Sequence, residues 1–260
     1  MGKRTEEELQ ELLAEVTEGK YADLKATNER LLKRIDKLKD KNADIIEAVY
    51  QAIGDGIRSL DLPPVTPPPK SKKTKAEEIC VPLLSDIQLA KVTPTYSTEQ
   101  AEVRVVKYAH KISELARLQR YSHPVKKCAV LCLGDIVEGE LIFPGQSHMI
   151  DASLYRQVTV DGPRILHKFF SILLSEFEEV EVYWVIGNHG ALGGRSRRDY
   201  NPETNADRML GRILKMMFAH EPRIKFIVPE GGNERNWYLV ANLGLKAKFM
   251  CFHGDQIRGH

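Results

Sequence analysis

A chain of 260 residues with 42% hydrophobic and 28% charged content has room for one sizeable folded domain plus an appendage, and enough apolar residues for a real core. Its net charge of +2 does not by itself announce a nucleic-acid partner, and no apolar run approaches the roughly 20 residues of a membrane span. The start, Met1-Gly-Lys-Arg-Thr-Glu-Glu-Glu8, lacks the apolar stretch of a secretory signal. Cys80, Cys128, Cys132 and Cys251 lie in apolar, strand-like runs without a CxxC spacing, which predicts buried reduced thiols and a cytoplasmic location.

Residues 5–58 are rich in Glu, Leu and Lys and free of proline, and they read as helix. From Leu24 a heptad register holds, with Leu24, Leu31, Leu38, Ile45 and Ala52 at d and Asn28, Ile35, Asn42 and Val49 at a. About four heptads with Asn at two a positions predict a parallel coiled-coil homodimer through residues 20–55; the alternative is a single amphipathic helix. Leu62-Pro-Pro-Val-Thr-Pro-Pro-Pro69 ends the helix and begins a semi-rigid spacer. Lys70, Lys72, Lys73 and Lys75 continue it, so residues 1–60 form a helical segment, 61–76 a linker and 77–260 the globular domain.

In the globular part, Ile79–Leu84 reads as a strand followed by Ser85-Asp-Ile-Gln88. A helix is predicted over 99–121, with Val103, Val106, Ile112, Leu115 and Leu118 at helical spacing. Cys128–Leu133 is an unbroken apolar run, as in a strand buried on both faces, and Gly134-Asp135 follows it. Residues 150–179 are predicted mostly helical with a break at Gly162-Pro163, and Val180–Ile186 is the next strand, delivering Gly187-Asn-His-Gly190. A helix over 203–219 and strands at 224–228, 237–241 and 246–252 complete the chain, the last strand delivering His253. Alternation of strand and helix followed by a run of strands predicts an α/β sandwich, parallel early and antiparallel late.

Four strand ends thus carry Asp86 with Gln88, Asp135, Asn188 with His189, and His253. Carboxylates at the carboxyl ends of buried strands sit where open α/β sheets place ligands. Hard oxygens mixed with imidazoles suit Mn²⁺, Fe or Zn²⁺ better than Ca²⁺. The ordered set Asp-x-(His), Gly-Asp, Gly-Asn-His, His, spread from about Ile79 to Asp255, resembles the calcineurin-like metallophosphoesterases, closest to the phage and bacterial branch with repair-type nucleases and phosphodiesterases. The resemblance implies a four-layer α-β-β-α sandwich with a dinuclear metal site, most suited to manganese. It implies that Asp86 binds the first metal with Gln88 beside it, that Asp135 bridges both, and that Asn188 and His253 bind the second. His189 would protonate the leaving oxygen, and a hydroxide on the metals would be the nucleophile.

The sequence departs from that family in three places. Gln88 stands where a His is usual, Gly190 where an acidic residue often follows Asn-His, and the later Gly-His-x-His is absent before Gly259-His260. The expectation is a catalytic domain incomplete at its C-terminal side, holding fewer than two metals unless His260 serves as a ligand. Arg195, Arg197 and Arg198 after the Asn-His loop, and His148 after the Asp135 loop, are the candidate substrate-binding residues. Together these readings predict a metal-dependent phosphodiesterase or nuclease acting on DNA or RNA. A non-catalytic scaffold subunit and a protein phosphatase are the alternatives.

Overall fold

The computed structural model describes residues 25–31, 33–34, 48, 50–51, 53–54, 65–68, 76–192, 201–230, 233, 236–244, 248–255 and 257. The chain divides into two units, Met1–Ala52 and Ile53–His260. In the first, the described residues from Lys25 on are helical, as expected. Of the heptad positions, Asn28 and Leu31 are described and both are exposed; the rest of the seam, and any pairing through it, lies outside the described residues.

The second unit is mixed α/β. Strands β1 (Glu78–Cys80), β3 (Val125–Cys132), β4 (Glu179–Trp184) and β5 (Ile224–Ile227) form a parallel sheet in the order β1-β3-β4-β5. A two-residue β2 (Leu83–Leu84) also pairs with β3. The single strand expected over 79–84 is therefore two pieces. Pro82 lies between them, and having no N–H it can only accept, which it does from Leu131 N at 2.9 Å. The two strands after the parallel set, β6 (Leu239–Asn242) and β7 (Lys248–Cys251), pair antiparallel in a separate sheet. That small sheet packs on the large one through a cluster that joins Ala129, Leu131, Tyr183 and Val185 to Ala241, Leu243 and Cys251.

Helix α1 (Thr98–Gln119) starts where the Ser97 hydroxyl accepts from Gln100 N at 3.3 Å. Of the expected stripe it buries Ile112 and half-buries Val106. Val103, Leu115 and Leu118 are exposed, and the buried face is Ala101, Val105, Ala109, Ile112 and Ala116. The spacing of the large apolar residues misleads here. Small alanines about two turns apart are what let α1 lie close against α2 (Gly162–Glu176), its principal neighbour.

The predicted helix over 150–179 is a single turn at Leu154–Arg156, a π-helical turn at Gln157–Asp161, and then α2. Pro163 interrupts nothing, since it sits in the first turn of α2, where a missing N–H goes unnoticed. Helix α3 (Ala206–Met217) follows a 3₁₀ turn at Pro202–Thr204. Phe170 of α2 meets Phe226 of β5 edge-on with centroids 5.2 Å apart, and the fully buried Trp184 donates its indole N–H to Asp207 O in α3 at 2.7 Å.

The registers fix where the site lies. Leu84 pairs with Cys132 and Cys132 with Trp184, so β2, β3 and β4 end level with one another. The loops that follow carry Asp86, Asp135 and Asn188-His189 to the same sheet edge. Among the described residues no helix is long and apolar enough to cross a membrane.

Trp184 fills the space between sheet and α3 while tying its indole to the first turn of that helix. Trp184→Phe should cost about 1–3 kcal/mol in denaturant unfolding, through a lost buried hydrogen bond and a small cavity.

Candidate metal centre

The loops after β2 and β3 are locked together by backbone bonds. Asp86 N donates to Gly134 O at 3.1 Å, Gln88 N to Asp135 O at 3.0 Å, and Leu89 N to Ile136 O at 2.9 Å. The chain takes unusual conformations to achieve this: Asp86 (φ 53°), Gln88 (φ 47°), Ala90 (φ 78°) and Asp135 (φ 51°) all sit in the left-handed region. For residues with a Cβ that is strained, on the order of 1 kcal/mol each. Gly187 is required by proximity: a Cβ there would lie 2.0 Å from Asp135 Oδ1. The loops after β3 and β4 thus touch backbone to carboxylate.

One carboxylate sets the position of Asp135. The side chain of Asp207, completely buried at the start of α3, accepts four backbone N–H groups: Asp135 N (2.9 Å), Ile136 N (3.1 Å), Val137 N (3.1 Å) and Gly187 N (2.9 Å). Asn205, buried and capping α3, accepts from Asp207 N at 2.8 Å and donates to Gly187 O at 2.8 Å. Burial, and next the charge of Asp135, push the Asp207 carboxyl up to about 6, against the lowering effect of the N–H donors.

Asp86, Asp135 and His253 converge, with one potential ligand atom from each within 4.8 Å of the others. Asp135 is buried, His253 half-buried and Asp86 exposed. His253 Nε2 lies 3.1 Å from Asp135 Oδ2, and its Nδ1 is 2.8 Å from Leu133 O. The ring is thereby oriented by a backbone carbonyl on one side, leaving the other nitrogen for the site. The hydrogen bond to Asp135 is the main cause holding the His253 pKa up at about 9. The carboxylate Oδ2 of Asp86 accepts from the Ser85 hydroxyl. Two carboxylates and an imidazole sharing a proton at this spacing fit a divalent ion, which would take the place of that proton.

His189 follows Asn188 on the half-buried loop after β4. Its backbone N–H donates to Asp135 Oδ1 at 2.8 Å, and its ring Nε2 lies 3.9 Å from Asp135 Oδ2. Ring Nδ1 is 2.9 Å from Glu138 O and 3.2 Å from Glu138 Oε2, an oxygen that is buried and has no other well-aligned partner. Glu138 Oε1 accepts from the buried Gln146 Nε2 at 3.1 Å. The Glu138 carboxylate is the main cause holding His189 above the usual imidazole range. Glu138 therefore supplies, from the loop after β3, the acidic partner that Gly190 withholds. Gly190 itself faces Asn205, whose Oδ1 would lie 2.4 Å from a Cβ at that position.

The remaining candidates fall differently. The Gln88 amide oxygen accepts from Lys91 Nζ at 2.6 Å, so ligation by Gln88 would have to displace an ammonium. His148 is exposed at the end of a 3₁₀ turn, and among the described residues none of its bonds reaches Asp135, His189 or His253. Arg195, Arg197, Arg198 and His260 lie outside the described residues. Glu138, Asn205 and Asp207 are absent from the sequence-derived set. An Asn-x-Asp ahead of an amphipathic run announces a helix start and nothing more.

Both raised groups act on stability in the same direction. Asp207 favours the fold most below its ordinary 3.8 and loses that contribution as pH rises through about 6. His253 contributes fully below its ordinary 6.5 and loses its contribution as pH rises through about 9. Chelator-treated protein should accordingly melt at progressively lower temperature from pH 6.5 to 9.5, and His253→Ala should flatten that decline; calorimetric melting at each pH tests it. No protein-family model matches the chain, and no curated protein matches it either.

Proposed function

We propose that the chain is a metal-dependent phosphoester hydrolase acting on phosphodiesters, those of DNA or RNA included, and built as a calcineurin-like four-layer sandwich. The observation that supports this most directly is the convergence of Asp86, Asp135 and His253 at one sheet edge, with His189 tied to Asp135 through its backbone. Asp86, Asp135 and His253 would hold one divalent ion, which puts His253 with the first ion and not, as the family resemblance implies, with the second; Asp135 with Asn188 would hold that second ion. Manganese suits this donor set, with iron and zinc as alternatives. When bound, such ions make water nucleophilic near neutral pH and clamp the oxygens of an in-line displacement at phosphorus.

The chain's own residues have separable tasks. Asp207 keeps Asp135 from turning away, because three of its four N–H donors belong to Asp135 and the two residues after it. His253 gives up its shared proton as the site loads. His189, with Nδ1 committed to Glu138, presents Nε2 toward the reacting centre and donates a proton to the departing oxygen. Glu138 keeps that ring charged and fixed in orientation.

A weakly active or non-catalytic scaffold is the second reading, and the Lys91–Gln88 bond is the observation that favours it. An ammonium there competes with an ion at the position of Gln88. The parallel pairing of two copies through residues 20–55, and a cytoplasmic location, belong to the same proposal and would suit either reading.

Activity against bis(p-nitrophenyl) phosphate should require Mn²⁺ and vanish with chelator, and Asp135→Asn should lower kcat by orders of magnitude without unfolding the chain. A fully active Asp135→Asn variant would falsify the mechanism. His189→Ala should reduce kcat about 10²–10⁴-fold at unchanged metal content, and Glu138→Gln should fall between that variant and the parent. Because His253 holds its proton to about pH 9, Mn²⁺ titrated at pH 7 should release protons, and its affinity should climb roughly tenfold per pH unit below that value. Calorimetry in buffers of different ionisation enthalpy measures both.

A further inference from the structure

Beside the metal centre lies a cleft of about 470 Å³, lined by Asp86, Gln88, Lys91, Tyr96, Arg104 and Tyr108 among others. Its size falls within the range of sites that hold small organic ligands. Asp86 belongs both to this cleft and to the triad, so the two spaces meet at that carboxylate.

The cleft is a fixed structure. The Tyr96 hydroxyl donates to Ile87 O, and the Tyr108 hydroxyl to Leu83 O at 3.0 Å, so both rings are pinned to the segment that delivers Asp86. Lys91 closes a tight turn, with its N–H donating to Gln88 O at 3.1 Å and its Nζ to Gln88 Oε1 at 2.6 Å. Arg104 reaches across from α1, its guanidinium 5.0 Å from the Tyr96 ring centroid and its Nη2 3.4 Å from Thr95 O. Several other cations of this unit meet carboxylates: Lys127 has Glu179 and Glu181, Arg164 and Lys168 share Glu102, and Arg120 has Glu176. Among the described residues, Lys91 and Arg104 instead donate to neutral oxygens. Two cations thus face one cleft, where the one carboxylate among the described lining residues is Asp86, at its border with the triad.

We propose that this cleft is a subsite for a second phosphate of the substrate, the one that flanks the scissile phosphodiester in a nucleotide chain. Lys91 and Arg104 bind it. This rests on the hydrolase reading for its placement, and it narrows the substrate class to phosphodiesters that carry a neighbouring phosphate. Arg104 offers a planar fork of N–H donors to phosphate oxygens, while Lys91 supplies a compact charge that Gln88 holds in place. A diester flanked only by neutral groups would leave both cations unpaired.

The test uses two chromogenic substrates that differ by one phosphate, thymidine 5′-(p-nitrophenyl phosphate) and its 3′-phosphorylated form, with the full chain and Mn²⁺. The expected result is a kcat/KM at least tenfold higher for the 3′-phosphorylated substrate, with the advantage residing in KM and shrinking as salt rises. Arg104→Gln and Lys91→Gln should each reduce that ratio several-fold, and Arg104→Lys should restore part of it. In parallel, chelator-treated protein is titrated with thymidine 3′,5′-bisphosphate, which reads binding without turnover. Binding that is lost in Arg104→Gln supports the subsite even if neither chromogenic substrate is hydrolysed, an outcome that would sink the hydrolase reading alone. Turnover without preference between the two substrates, or bisphosphate binding that both variants leave intact, overturns the subsite and spares the hydrolase reading.

Discussion

The architecture of the candidate metal centre depends on a single buried carboxylate. Asp207 gathers N–H groups from the loop after β3 and the loop after β4 and has no contact of its own with the triad oxygens that face His253. An ionised carboxyl in full burial is expensive unless its lone pairs are filled, and here four backbone donors fill them. The residual cost is visible in its upward shift to about 6, to which the nearby Asp135 charge contributes after burial itself. A group held at that cost only makes sense as an organiser. It turns two loops with no regular structure into one rigid surface, and the left-handed backbone of Asp135 is tolerated because those bonds fix it.

A second ring of contacts does for His189 what Asp207 does for Asp135. Gln146 and Gln157 are both buried to completion and both bond the segment around Glu138: Gln146 Nε2 donates to Glu138 O at 2.8 Å, and Gln157 Oε1 accepts from Glu138 N at 3.1 Å and Gly139 N at 3.0 Å. Gln157 opens the π-helical turn before α2. A π turn shifts the phase of side chains relative to an α-helix, and that phase aims the Gln157 amide at the Glu138 loop. The irregular stretch between β3 and α2 is therefore shaped around one buried glutamate, whose free oxygen points to an imidazole.

Much of this order was legible in the sequence, and the reasons differ by feature. The short apolar runs ending at Leu133 and Ile186, the second broken by Glu181 alone, read as buried parallel strands because a strand covered on both faces carries few polar residues. The residues just beyond them fall at the sheet edge by topology alone. Helix α1 was legible as a helix and illegible in its facing, since Ala101, Ala109 and Ala116 outrank larger residues when close approach to α2 decides the contact. Asp207 was illegible in principle. Its bond to Asp135 N joins residues 72 apart, and a first-turn aspartate has a sufficient local explanation as a helix-start residue. Glu138 is illegible for the same reason: nothing near it in sequence reveals that it is almost wholly buried.

His253 reaches the site from the end of β7, and its ring is bonded to Leu133 O across 120 residues of chain. An isolated two-stranded sheet is marginal by itself, and β6–β7 is held to the larger sheet by an apolar cluster and the bond from the Tyr183 hydroxyl to Asn242 O at 3.2 Å. Whatever binds between Asp86, Asp135 and His253 therefore also acts as a clasp on this sheet. By mass action, occupancy of the triad lowers the population in which β6–β7 has peeled away. The C-terminal strands would then be most susceptible to proteases and to amide exchange when the site is empty, so the ion would serve the integrity of the fold as well as its chemistry.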